Sequence, residues 1–191
     1  AITGTVGPRT LRFTSGTLSQ ALSGSVTTTA GAATQIAVNA GNGQSATVNT
    51  AVAVPPSVVV RDVSGNPVSG VSVTFAVASG GGSIVPVTPA TTNASGIAAL
   101  TSWTLGTIAG GNTVTATSGT LTGSPVTFTA TGNAGAATQL QLATQPSPTA
   151  QSGVALAVQP AVRLTDAFGN LVATNGVVVT AGFGSGTGTL G

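Results

Sequence analysis

The chain has 191 residues, 41% hydrophobic and only 3% charged, with a formal net charge of +2. The charges are Arg9, Arg12, Arg61 and Arg163 against Asp62 and Asp166, and there is no Lys, Glu, His, Cys, Met or Tyr. Four scattered arginines cannot neutralise the several phosphates that nucleic-acid binding requires, nor hold an anionic membrane surface. Without cysteine there is no disulfide and no zinc–thiolate site, and no apolar run reaches the ~18 residues of a membrane span.

Taken in chain order, the opening AITGTVGPRT lacks the charged and apolar regions of a signal peptide. "TLRFTSGTL" (10–18) and "SGSVTTTAG" (23–31) read as a hairpin. "PPSVVVRD" (55–62) is continuously apolar, as a central strand is. "VSVTFAV" (71–77) alternates, with Val71, Val73, Phe75 and Val77 on one face. "GIAALTSW" (96–103) is ambiguous, because Leu100 and Trp103 fall on opposite faces unless a bulge intervenes. "NTVTATS" (112–118) and "PVTFTAT" (125–131) alternate again. The core is expected from Val58, Val60, Val73, Phe75, Val114, Val126 and Phe128. Turns rich in Gly and Asn separate the runs, as in "SGNP" (64–67), "SGGGS" (79–83), "NASG" (93–96) and "AGGN" (109–112). No stretch has helical period. The reading is all-β, with sheets buried on one face and wet on the other.

Three phrases recur at one spacing. "AGAATQIAV" from Ala30 returns as "AGAATQLQL" from Ala134, about 104 residues later. "TSGTL" at Thr14–Leu18 returns at Thr117–Leu121, and D-x-x-G-N at Asp62 returns at Asp166. A unit near 100 residues is the size of a β-sandwich domain. The chain is therefore expected to hold one complete sandwich and two partial ones: residues 1–30 the C-terminal strands of a preceding domain, 31–134 a complete domain of about seven to nine strands, and 135–191 the N-terminal strands of a following domain.

In the central copy, "DVSGNPVSGVSVTF", then "TTNASGIA", "GNTVTAT" and "GSPVTFTAT" follow one another in order. This series resembles the bacterial immunoglobulin-like domain repeats of the invasin/intimin kind. The resemblance covers the central copy, and the end pieces match corresponding halves. It implies a disulfide-free Ig-like sandwich used in tandem as a rod on bacterial surface and secreted proteins. Members of this kind are mostly spacers and adhesin stalks, with receptor binding carried elsewhere.

The two aspartates are the candidate site. Calcium wants six to eight oxygens and usually several carboxylates, whereas each copy offers one. A turn explains them better, with the Asp62 side chain accepting from the backbone N–H of Gly65 or Asn66. Arg61 beside Asp62, and Arg163 near Asp166, allow a local ion pair of little worth if exposed. Acid–base catalysis needs two titratable groups in one cleft, and Asp62 and Asp166 fall in equivalent places of successive domains. No base is present to activate a serine. No catalytic, cofactor or metal residue is therefore assigned. "SGGGS" and "GFGSGTG" (182–188) lack the lysine and helix of a phosphate loop and read as strand connections. Trp103 is either a sugar platform or a core residue, the latter being commoner in a sandwich. Asn93-Ala94-Ser95 matches a glycosylation acceptor pattern.

Half a sandwich exposes an apolar face and unpaired edges, so neither end piece is expected to hold its order without a complement. Either the polypeptide continues beyond both ends or neighbouring copies complete each other head to tail. The counterpart of roughly Val85–Ser102 occurs in neither end piece, which favours a longer repetitive chain. The expected function is a non-enzymatic structural part of an extracellular or cell-surface bacterial rod, adhesin stalk or filament, without cofactor. Its expected partner is itself or adjacent repeats, end to end, with any surface glycan or receptor bound by regions outside this chain. The alternatives are a carbohydrate- or protein-binding Ig-like module, or a spacer of a secreted enzyme.

Overall fold

The computed structural model describes residue 2 and residues 4–186. The chain divides at Asn133/Ala134 into two compact units. No described residue is helical.

In the first unit a hairpin of β1 (Gly7–Phe13) and β2 (Ala21–Thr28) comes first, as the two phrases predict. Ten strands follow: β3 (Ala33–Ala40), β4 (Gln44–Thr47), β5 (Ser57–Asp62), β6 (Ser72–Ser79), β7 (Ser83–Val85), β8 (Ala90–Thr91), β9 (Ile97–Ala99), β10 (Ser102–Thr104), β11 (Gly110–Thr117) and β12 (Val126–Asn133). One sheet has the order β4-β12-β11-β6-β8, a second has the order β3-β5-β9, and β7 pairs with β10. "PPSVVVRD" is indeed central, since β5 pairs with β3 on one side and β9 on the other.

The strand count exceeds the expected seven to nine because the chain changes sheets within two runs. β3 pairs antiparallel with β5, whereas β4, just past Gly41, pairs parallel with β12. Likewise β9 pairs with β5 and β10 with β7. At that second switch the Leu100 N–H donates to Pro56 O and the Thr101 N–H to Val85 O. Strict alternation therefore breaks between Leu100 and Trp103, and both end in the core at 4% and 0% exposure.

Alternation governs the rest. β12 buries Val126, Phe128 and Ala130 and turns Thr127, Thr129 and Thr131 outward. All seven residues expected in the core are buried, at 0–7% exposure. The Phe75 and Phe128 rings lie 6.5 Å apart between centroids, tilted by 39°. Each such side chain contributes about 1.5–3 kcal/mol on leaving water, so aliphatic bulk replaces the missing aromatics.

In the second unit, β13 (Gln139–Thr144) and β14 (Ala161–Thr165) form an antiparallel hairpin. Its register opposes Leu140 to Leu164 and Leu142 to Val162. The matching pairs of the first unit are Ile36 with Val60 and Val38 with Val58. Both end pieces thus pair locally as hairpins, although Leu11 and Phe13 in the first and Leu140 and Val162 in the second stay exposed where their counterparts Val114, Ala116, Ile36 and Val58 are buried.

Candidate functional site

The D-x-x-G-N phrase places its aspartate at the end of a strand and bends the chain back on it. Asp62 closes β5, and the Gly65 N–H donates to its backbone carbonyl at 3.0 Å. Gly65 supplies the positive φ of +82° that the bend requires, a conformation costly for other residues. The carboxylate then turns inward. Oδ1 accepts from the Ser64 and Asn66 N–H groups, both at 2.9 Å. Oδ2 accepts from the Asn66 side-chain amide at 3.0 Å and from the Gly31 N–H at 2.9 Å. The sequence predicts Gly65 or Asn66 as donor; Asn66 donates, and Ser64 takes the place of Gly65, whose N–H is bound to the main chain.

The second copy builds the same cage. Asp166 Oδ1 accepts from the N–H groups of Phe168 and Asn170, and Oδ2 from the Asn170 side chain and the Gly135 N–H, each at 2.9 Å. Gly169 matches Gly65, with φ of +85°. Both aspartates are almost wholly buried, at 3% and 1% exposure.

Four N–H donors around one carboxylate stabilise its charged form. The Asn66 side chain lowers the Asp62 pKa most, followed by the Gly31 N–H, and outweighs burial; the result is about 2 against an ordinary 3.8. For Asp166 burial is the largest influence and acts upward. The donors of Asn170, Gly135 and Phe168 together overcome it and again hold the group at about 2. The oxygens thus face N–H groups, and a cation would have to displace them. Among the described residues no three acidic or histidine side chains come together.

Among the described residues the arginines add no ion pair to this turn. The Arg61 guanidinium donates to Gly65 O at 2.9 Å, and Arg163 Nε donates to Gln141 Oε1 at 2.7 Å. Trp103 is fully buried, so it is a core residue and no sugar platform. "SGGGS" connects β6 to β7. "GFGSGTG" runs past Gly186, and residues 187–188 lie outside the described residues. Asn93 is exposed, and its Oδ1 closes a local turn by accepting from the N–H groups of Ser95 and Ile97.

Gly31 and Gly135 were not legible as site residues from the local motif. Each precedes its aspartate by 31 residues, and that matched separation is the signal that marks them. Gly31 lies in the short connection between β2 and β3, so the carboxylate fixes the segment through which the chain enters the sandwich. The Asn66 amide also donates to Gly4 O at 3.3 Å, just ahead of β1.

No family model and no curated protein matches the chain. Three solved structures are similar to it. The D00-D0 domain of intimin shares 19% identity at a TM-score of 0.42, covering 60% of this chain and 56% of that one. FdeC, an Escherichia coli adhesin, shares 18% at 0.47, covering 76% and 45%. Domains 4–9 of the surface layer protein SbsC share 20% at 0.41, covering 88% and 25%. The chain spans between a quarter and just over half of these structures.

Proposed function

We propose that this chain is a non-enzymatic structural segment of an extracellular bacterial rod, stalk or filament built of β-sandwich repeats, each of which anchors its own leading residues through an aspartate-centred turn. The carrying observation is the bond from Gly31 N–H to Asp62 Oδ2, reproduced between Gly135 and Asp166. Each repeat anchors its own leading residues to a buried charge. A charge-assisted hydrogen bond is stronger and shorter than a neutral one, and here it restrains a connection of four residues between β2 and β3. A restrained connection transmits force and direction, which a spacer must do. The extracellular placement follows from the resemblance to invasin/intimin-type repeats and suits a chain without Cys or Met. Burial of Trp103 removes the one indole that a carbohydrate-binding module would use as a platform.

Small-angle scattering on the whole chain tests the reading. Asp62→Ala is expected to broaden the distribution of dimensions and to raise the flexibility signature, while the melting of the central sandwich persists. Unchanged scattering from the variant overturns the proposal.

A further inference from the structure

In the first unit, the face formed by β3 and β5 is covered by β6, β11 and β12, and Ile36, Val58 and Val60 are buried there. In the second unit β13 and β14 repeat that face. Its apolar residues Leu140, Val162, Leu164, Leu171, Val177 and Val179 line an open groove of about 550 Å³. Residues 176–183, GVVVTAGF, repeat the GVSVTFAV of residues 70–77 that builds most of β6, yet they form no strand. β6 itself lies between β11 and β8, and β11 is its longer partner.

A counterpart of β11 and β12 exists elsewhere in the chain. β1 and β2 fall at the same place in the repeat and pair alike as far as Thr10: Gly7 opposes Thr28 as Gly110 opposes Gly132, and Gly7 and Gly110 share φ of +138°, whereas a register shift between Thr10 and Arg12 has no counterpart in β11 and β12. The hairpin leaves Leu11, Phe13 and Val26 exposed at 39%, 57% and 37%. Among the described residues the apolar side chains of the hairpin stay exposed, and the groove of the second unit stays open.

We propose that the β1–β2 hairpin of one copy docks in the groove of a second copy, with β1 adding to residues 180–185 as β11 adds to β6. Such strand addition supplies main-chain hydrogen bonds and covers the apolar face together. The β11–β6 register opposes Thr113 to Ser79, Val114 to Val77, Thr115 to Ala76, Ala116 to Phe75 and Thr117 to Thr74. Carried over by the repeat, it opposes Thr10 to Ser185, Leu11 to Phe183, Arg12 to Gly182, Phe13 to Ala181 and Thr14 to Thr180. The first pair keeps the hydroxyls of Ser79 and Thr113, which bond at 2.7 Å, and the last keeps two threonines. The fourth pair is the informative one. In the central sandwich the ring sits on Phe75 and the methyl on Ala116; between copies the methyl sits on Ala181 and the ring on Phe13. Exchanging large and small across a contact conserves the volume the core must fill. Head-to-tail docking of this kind repeats from copy to copy or closes into a ring.

The test uses the full chain and reads its mass by sedimentation across a range of concentrations. The expected mass lies above the single-copy 18.0 kDa and grows with concentration. Phe13→Ala leaves a void and Ala181→Phe overfills the contact, so each is expected to weaken association by at least about tenfold. An equimolar mixture of the two variants is expected to restore it, because every mixed junction then holds one ring and one methyl. The melting transition of the central sandwich serves as the folding control, since neither position belongs to its core. A mass fixed at one copy overturns the proposal and leaves the groove to another occupant. So does assembly that ignores both substitutions, which would place the contact on other edges. Mass reads docking and scattering reads the joint, so failure of one leaves the other standing.

Discussion

A buried carboxylate surrounded by four N–H groups has no good isostere. In Asp62→Asn the new amide must place its NH₂ against the Gly31 and Asn66 donors or lose the Ser64 and Asn66 backbone bonds. The variant is expected to melt below the wild type, and Arg61→Ala, which removes one exposed bond to Gly65 O, is expected to melt close to it. The pH dependence follows from the depressed pKa values. A carboxyl lowered from 3.8 to about 2 stabilises the fold fully above the ordinary value and loses that contribution as pH falls through about 2. Thermal melts should therefore be flat above about pH 5 and decline between about 4 and 2. The double variant Asp62→Asn/Asp166→Asn should flatten that decline; a slope equal to wild type goes against the assignment. Trp103 makes the opposite case, an aromatic side chain held by packing, whose indole N–H finds no acceptor among the described residues. Trp103→Ala should cost about 3–5 kcal/mol in denaturant titration. At this scale the sequence was readable where chemistry was local, as with Asn66 answering Asp62. It was unreadable for Gly31, because no local pattern announces a donor 31 residues away.

Strands were legible where one neighbouring sheet face explained the alternation, as in β6 and β12. They were obscure where the chain moved between sheets. "GQSATV" alternates only over Ser45–Val48, too short a run to reveal β4, whose pairing with β12 is set by main-chain bonds and by Gln44, whose side chain bonds Gly41 O and Val54 O. Residues 177–183 show the reverse. Their Val-rich pattern reads as a strand, but a strand exists only with a neighbour, and among the described residues none pairs with them. Hydrogen exchange measures the difference. At low concentration the amides of β11, flanked by β6 and β12, should exchange slowly, and those of 177–183 quickly. Equal protection of the two segments under dilute conditions would contradict this account.

Across the whole molecule, the few charges sit at particular places. Arg9 and Arg12 lie in β1, Arg61 in β5 and Arg163 in β14, so every basic residue is held in a hydrogen-bonded strand. The loops carry Gly, Ser, Thr, Asn and small apolar residues instead. Enzymes that cut after arginine or lysine need an extended, detachable segment around the bond they cleave. The native chain should survive trypsin over times in which an elastase-type enzyme, cutting after Ala and Val, nicks the exposed loops. Rapid tryptic cleavage at Arg61, in the middle of a three-stranded sheet, would mean that the sheet opens readily. A surface without loop lysines or arginines is thus also a coat against one large class of digestive enzymes, obtained from the same scarcity of charge that leaves the strands to be held by packing and hydroxyl groups.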